Sequence, residues 1–188
     1  MAELEQYPKI PLSNILVEYN EKTTADNEYP ILSSTMNGIF IQTEYFNKQA
    51  ASEKTIGYKK IPYGYCTYRS MSDTGEFHFN LQKVVEIGIV SPAYPVFTSD
   101  SYNIDFVAFY LNNSNCLKKQ IIGAKAGGTR FALSYSKLLK LFIPDIDKKR
   151  QERVVMIYDS LLYKLDVELL YLKKIKEQKQ YLLSQMFI

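Results

Sequence analysis

The 188-residue sequence has no tryptophan, one histidine and two cysteines. His78 is the only imidazole, and Cys66 and Cys116 stand far apart with no CxxC spacing, so neither a metal centre nor a disulfide framework is expected. Both thiols are expected to be buried. His78 lies in the alternating run Gly75-Glu-Phe-His-Phe-Asn80, and a strand there would turn it away from Phe77 and Phe79, which predicts a structural or surface role. No stretch approaches the roughly eighteen uninterrupted apolar residues that a membrane span requires. The first residues, MAELEQYPKIPLSN, carry acids where a secretory signal carries bases and lack an apolar run, so a cytoplasmic chain is expected.

Catalytic loops are missing as well. Residues 123–130, GAKAGGTR, have glycines spaced as in a phosphate loop, but Thr129 stands where the charge-neutralising lysine belongs. Ser91-Pro92-Ala93-Tyr94 approaches the Asn-Pro-Pro-Tyr loop of amino methyltransferases but lacks the Asn or Asp that accepts the target amine's hydrogen bond. No glycine-rich cofactor motif accompanies it. The chain therefore reads as a binder with no cofactor of its own and no catalytic residues.

What is present suits one globular domain plus an appendage, with 46% hydrophobic and 23% charged residues. The net charge of +3 says little, but its distribution says more. Residues 106–144 hold six bases, Lys118, Lys119, Lys125, Arg130, Lys137 and Lys140, and no acid. Residues 48–69 hold five, Lys48, Lys54, Lys59, Lys60 and Arg69, against Glu53 alone.

From Tyr29 to Phe97 short β-prone runs alternate with turn signals at Asn37-Gly38, Pro62-Tyr63-Gly64 and Asp73-Thr74-Gly75. Phe106, Phe109, Tyr110 and Leu117 recur at helical spacing, which predicts one amphipathic helix from Asn103 that ends before Gly123. A glycine-rich hinge, a short helix or turn at 136–141 and the strand-like LFIPDI follow. Residues 148–186 contain neither Gly nor Pro, which predicts one long helix with Asp145 or Asp147 available to cap it. Stepping by three and four along it gives Val154, Tyr158, Leu161, Leu165, Glu168, Leu172, Ile175, Lys179, Leu182 and Met186, a largely apolar seam. Such a helix, on the order of 55 Å long, exceeds what a small domain needs to cover its core, so a partner helix is expected.

The expected fold class is α+β: a mixed domain over 1–144, with a twisted β-sheet and short helices, then one long coiled-coil helix over 145–188. Residues 54–70, KTIGYKKIPYGYCTYRS, interleave bases with tyrosines. Such a segment suits DNA, where cations neutralise phosphates and hydroxyls or amides bond to backbone and base edges, but it equally describes a half-buried strand with a polar face.

The ordered set GIFIQTEYFNKQAA, YKKIPYGYCTY, IGIVSPAYPVF, GAKAGGTRFALS, LFIPDI-DKKRQERVV and LKKIKEQKQYLLSQMFI resembles the specificity subunit of Type I restriction-modification systems, over nearly the whole chain. The resemblance implies a recognition domain that reads half of a split DNA site and a helix that spaces the domains and docks methyltransferase subunits. It implies modification subunits, and restriction subunits with them, as partners, with S-adenosylmethionine on the modification subunits. A full subunit has two such units; this chain departs from the pattern in having one, which implies a half-length form.

Chemistry, not the resemblance, selects the candidate DNA contacts: Lys48, Lys54, Tyr58, Lys59, Lys60, Tyr68, Arg69, Ser70, Lys125, Thr129 and Arg130. Arg130 has a second reading, as a brace at the junction of domain and helix. The seam residues Val154, Tyr158, Leu161, Leu165, Leu172, Ile175 and Leu182 are expected to join two copies as an antiparallel homodimer on a palindromic site. Two other readings stand beside this one: a coiled-coil interaction protein whose β domain binds another protein, and an enzyme of unrecognised type.

Overall fold

The computed structural model describes residues 3–45, 54–123 and 131–186. The chain divides into two compact units, Met1–Lys148 and Lys149–Ile188.

The first unit runs through β1 (Lys9–Pro11), β2 (Val17–Glu18), β3 (Leu32–Thr35), β4 (Gly38–Ile41) and the one-turn helix α1 (Gln42–Tyr45). It continues with β5 (Lys59–Pro62), β6 (Cys66–Thr67), β7 (Met71–Ser72), β8 (Asn80–Leu81), β9 (Ile87–Val90) and β10 (Val96–Thr98). Then come α2 (Ile104–Asn113), α3 (Asn115–Gly123), β11 (Phe131–Ala132), α4 (Tyr135–Leu138) and β12 (Phe142–Pro144). The second unit is α5 (Lys148–Met186), which begins at the last residue of the first.

The architecture is α+β, with the strands spread over several small antiparallel sheets. The largest has four strands in the order β2-β10-β6-β8, and four pairs complete the set: β1-β12, β3-β4, β5-β9 and β7-β11. Each of the three turn signals carries a glycine at positive φ, Gly38 at 115°, Gly64 at 82° and Gly75 at 86°. The turns follow one another so closely that each described strand has only two to four residues.

Aromatic rings form the centre of the core. Tyr68, Phe79, Phe97, Phe106 and Tyr110 are fully buried, with the Tyr68 and Phe79 rings 4.8 Å apart. A second cluster joins Leu32, Ile39, Ile61, Val90 and Val96 beneath the β3-β4 and β5-β9 pairs. Gly88 in β9 is required there, because a Cβ at that position would lie 2.3 Å from Leu32 Cδ1.

The single helix expected from Asn103 is in fact two. Asn103 caps α2, accepting from the N–H groups of Asp105 and Phe106 at 2.9 and 3.2 Å. Ser114 then turns extended, with ψ 119°, and its Oγ accepts from Leu117 N at 3.2 Å, so it caps α3. In the run Asn112-Asn113-Ser114-Asn115 the short polar side chains offer the backbone alternatives to a continuous helix. The buried Ser114 hydroxyl also donates to Glu5 Oε1 at 3.0 Å.

The long helix stands as expected over Lys148–Met186. Val154, Val155 and Tyr158 are half-buried, and every described side chain from Asp159 onward is exposed. Among the described residues no helix is long and apolar enough to cross a membrane.

Candidate nucleic-acid interface

Two turns build a recess on the first unit. The β3-β4 hairpin closes through Thr35, whose Oγ1 donates to Gly38 O at 3.0 Å and accepts from Asn37 N at 3.1 Å. Asn80 on β8 anchors this hairpin, its Nδ2 donating to Ser34 Oγ at 2.9 Å and Thr35 O at 2.8 Å. The second turn follows β7, where Ser72 Oγ accepts from Gly75 N at 3.0 Å. The Phe131 ring lies 3.2 Å from where a Cβ on Gly75 would stand.

Between the turns lies a cleft of about 240 Å³, lined by Ser34, Thr35 and Met36 on the hairpin side, and by Arg69, Met71 and residues of 72–78 on the other. A second cleft, of about 270 Å³, shares Thr74, Glu76, Phe77 and His78 with the first and adds Leu111, Asn112, Lys118, Ile121 and Ile122 from α2 and α3. His78 is thus part of a wall common to both. It is not in a strand, as its alternating sequence had predicted, and its Nε2 is sealed from solvent without a hydrogen-bond partner.

The structure divides the candidate DNA contacts into unlike groups. Tyr58, Lys59 and Lys60 lie in or beside β5, and both ammonium groups meet carboxylates of the same domain. Lys59 Nζ lies 3.7 Å from Glu18. Lys60 Nζ reaches Glu21 at 2.8 Å and Glu28 at 3.2 Å, and stands 5.2 Å from the centre of the Tyr29 ring. The hydrogen bond to Glu21 leads in raising the Lys60 pKa, and Lys60 in turn leads in holding Glu21 below the carboxylate range. The role in view for these lysines is therefore to hold β5 to the acidic stretch before it.

Tyr68 is a correction. Its ring is fully buried and its hydroxyl donates to Leu133 O at 3.0 Å, so it is a core residue that no DNA can reach. The interleaving of bases and tyrosines misled here because Cys66, Thr67 and Tyr68 are all buried, and the Tyr68 ring packs onto Phe79 and Phe97. Ser70 is half-buried, with its hydroxyl on Ala93 O at 3.0 Å; Tyr58 is half-buried and Lys54 exposed. Arg69 is exposed, and of the described candidates it alone lines the first cleft. Lys48, Lys125, Thr129 and Arg130 lie outside the described residues.

Sequence reasoning singled out neither Thr35 and Met36 nor Glu76. The signal was in the turn motifs: Asn37-Gly38 and Asp73-Thr74-Gly75 place their neighbours at loop tips, where side chains project. Met36 is 70% exposed. Among the described residues no group of three or more His, Cys, Asp or Glu side chains is arranged to hold a metal ion.

No family model matches the sequence, and no curated protein matches it. Solved structures do share the fold. The HsdS subunit of Thermoanaerobacter tengcongensis aligns with a TM-score of 0.52 at 13% identity, over 86% of this chain and 38% of that one. A chain from a structure of the assembly and conformational transition of the type I R-M system gives 0.56 at 14% identity, over 88% of this chain and 43% of that one. The Type I restriction-modification S subunit of M. genitalium gives 0.52 at 12% identity, over 86% and 41%. The likeness spans nearly all of this chain but less than half of each neighbour. By fold, therefore, the chain is like the S subunits of Type I restriction-modification systems.

Proposed function

We propose that this chain is a DNA-recognition subunit of a Type I restriction-modification complex, reading one half of a two-part site through residues 1–144 and docking modification subunits along its long helix. The observation that carries the reading is the shared fold, which takes in 86% of this chain in one S subunit and spans 38% of that subunit's length. One recognition domain and one helix against a longer neighbour suit a half-length subunit. In this reading the chain does no chemistry alone: S-adenosylmethionine sits on the modification subunits, restriction subunits join the same complex, and the site of action is the cytoplasm.

Two copies complete the assembly. The seam residues Leu161, Leu165, Leu172, Ile175 and Leu182 are all exposed, Leu161 at 62%, and an apolar stripe of this length on a helix calls for a partner. An antiparallel homodimer places the same surface on both copies, so the two half-sites are inverted repeats of one another. Pairing with a different specificity chain would give unlike halves.

The deciding experiment mixes the chain with its modification subunits and a pool of random duplexes. Enrichment of a two-part motif with a fixed spacer supports the reading. A complex that forms but enriches nothing favours an interaction protein whose β domain binds another protein, and methyl transfer by the chain alone would identify an enzyme.

A further inference from the structure

The geometry points to the paired clefts on either side of the 74–78 segment as the surface that reads base edges, with Arg69 and Glu76 as the residues that set specificity. This inference rests on the DNA-recognition reading above and says which face of the domain performs it.

Charge decides what the first cleft accepts. Arg69 lines it together with Asp73 and Glu76, one cation against two carboxylates. That balance repels phosphate, so the DNA backbone does not seat there. Base edges carry no net charge, and the same side chains match them. A guanidinium forks onto guanine O6 and N7, a carboxylate accepts from the cytosine amino group, and apolar side chains such as Met36 and Met71 meet a thymine methyl. A phosphate-tracking surface would have shown the opposite composition, cations without acids.

The support of the cleft fits reading better than adventitious shape. Its hairpin wall is pinned by the two Asn80 bonds, so the projecting Met36 side chain rests on a fixed base. Its opposite wall is shared with the second cleft, which Lys118 also lines. A rigid scaffold that carries diverse, projecting side chains on turns is what discrimination among bases requires.

The test uses the chain in complex with its modification subunits, selecting from random duplexes as wild type, Arg69→Ala and Glu76→Gln. Both positions are exposed, so both variants are expected to fold and assemble; if Arg69→Ala does not, Arg69→Gln takes its place. Loss of Arg69 should leave a bound complex whose discrimination at one guanine position falls about ten-fold or more. Glu76→Gln should relax a different position, while binding to non-specific duplex stays equal or tightens because a repelling charge has gone. A motif selected with unchanged stringency by both variants overturns the assignment and leaves the recognition reading intact. A wild-type complex that enriches no motif overturns both.

Discussion

The side-chain amide of Asn112 clasps both backbone polar groups of Phe79. Asn112 Oδ1 accepts from Phe79 N at 2.9 Å, and Asn112 Nδ2 donates to Phe79 O at 2.8 Å. This two-bond ring gives Phe79 the pair of hydrogen bonds that a strand partner would, and it ties the end of α2 to the residue after His78. Replacement by leucine leaves an N–H and a C=O unsatisfied. Asn112→Leu is expected to lower the unfolding free energy by about 2–3 kcal/mol in urea titration. An unchanged midpoint would show that the ring is dispensable.

Tyr68 contributes through the core. Removing its hydroxyl deprives Leu133 O of a donor at 3.0 Å and keeps the ring packing on Phe79. Tyr68→Phe should cost about 1–2 kcal/mol of stability while the selected DNA motif stays the same. A changed motif with unchanged stability would return Tyr68 to the DNA surface.

Glu5 ties the N-terminal turn to α2, accepting from Lys9 Nζ at 2.9 Å, Tyr110 Oη at 2.8 Å and Ser114 Oγ at 3.0 Å. Burial works to raise its pKa, but the three hydrogen bonds prevail and bring it from 4.5 to about 2. A carboxyl whose folded pKa is the lower one stabilises the fold above pH 4.5, and loses that contribution as pH falls through about 2. Because the side chain is 30% exposed, solvent screening holds the effect to the order of 1–2 kcal/mol. Glu5→Gln should therefore be less stable than the unmodified chain at neutral pH, and the two unfolding midpoints should converge as the pH is lowered through that window. A constant difference would remove the carboxylate from the account.

Charges in the seam test the helix. Leu165→Glu combined with Leu172→Glu should turn a dimer into a monomer in sedimentation and abolish selection of the split site, while residues 1–144 keep their fold. A monomer for the unmutated chain at micromolar concentration would sink the homodimer.

The long helix and the turns were legible because each rests on local chemistry: the absence of Gly and Pro from 148–186, and a glycine at each of 38, 64 and 75. The break at Ser114 was hidden, since it depends on a hydroxyl that caps α3 and also reaches Glu5, more than a hundred residues away in sequence. The candidate site was least legible. Lys59, Lys60 and Arg69 are equivalent bases in a sequence, and what separates them is long-range: Glu18, Glu21 and Glu28 approach the first two, while Arg69 emerges where two turns meet. Tyr68 shows the same limit, for a tyrosine among lysines resembles a surface residue until the aromatic core around it is assembled.

The internal pairing of lysines also bears on how binding should respond to ionic strength. Lys9, Lys59, Lys60 and Lys83 each meet a carboxylate of their own domain, so in the DNA-recognition reading they would displace few condensed counterions. A tally of the domain's bases that included these four would overstate the slope of log affinity against log salt by about three to four units.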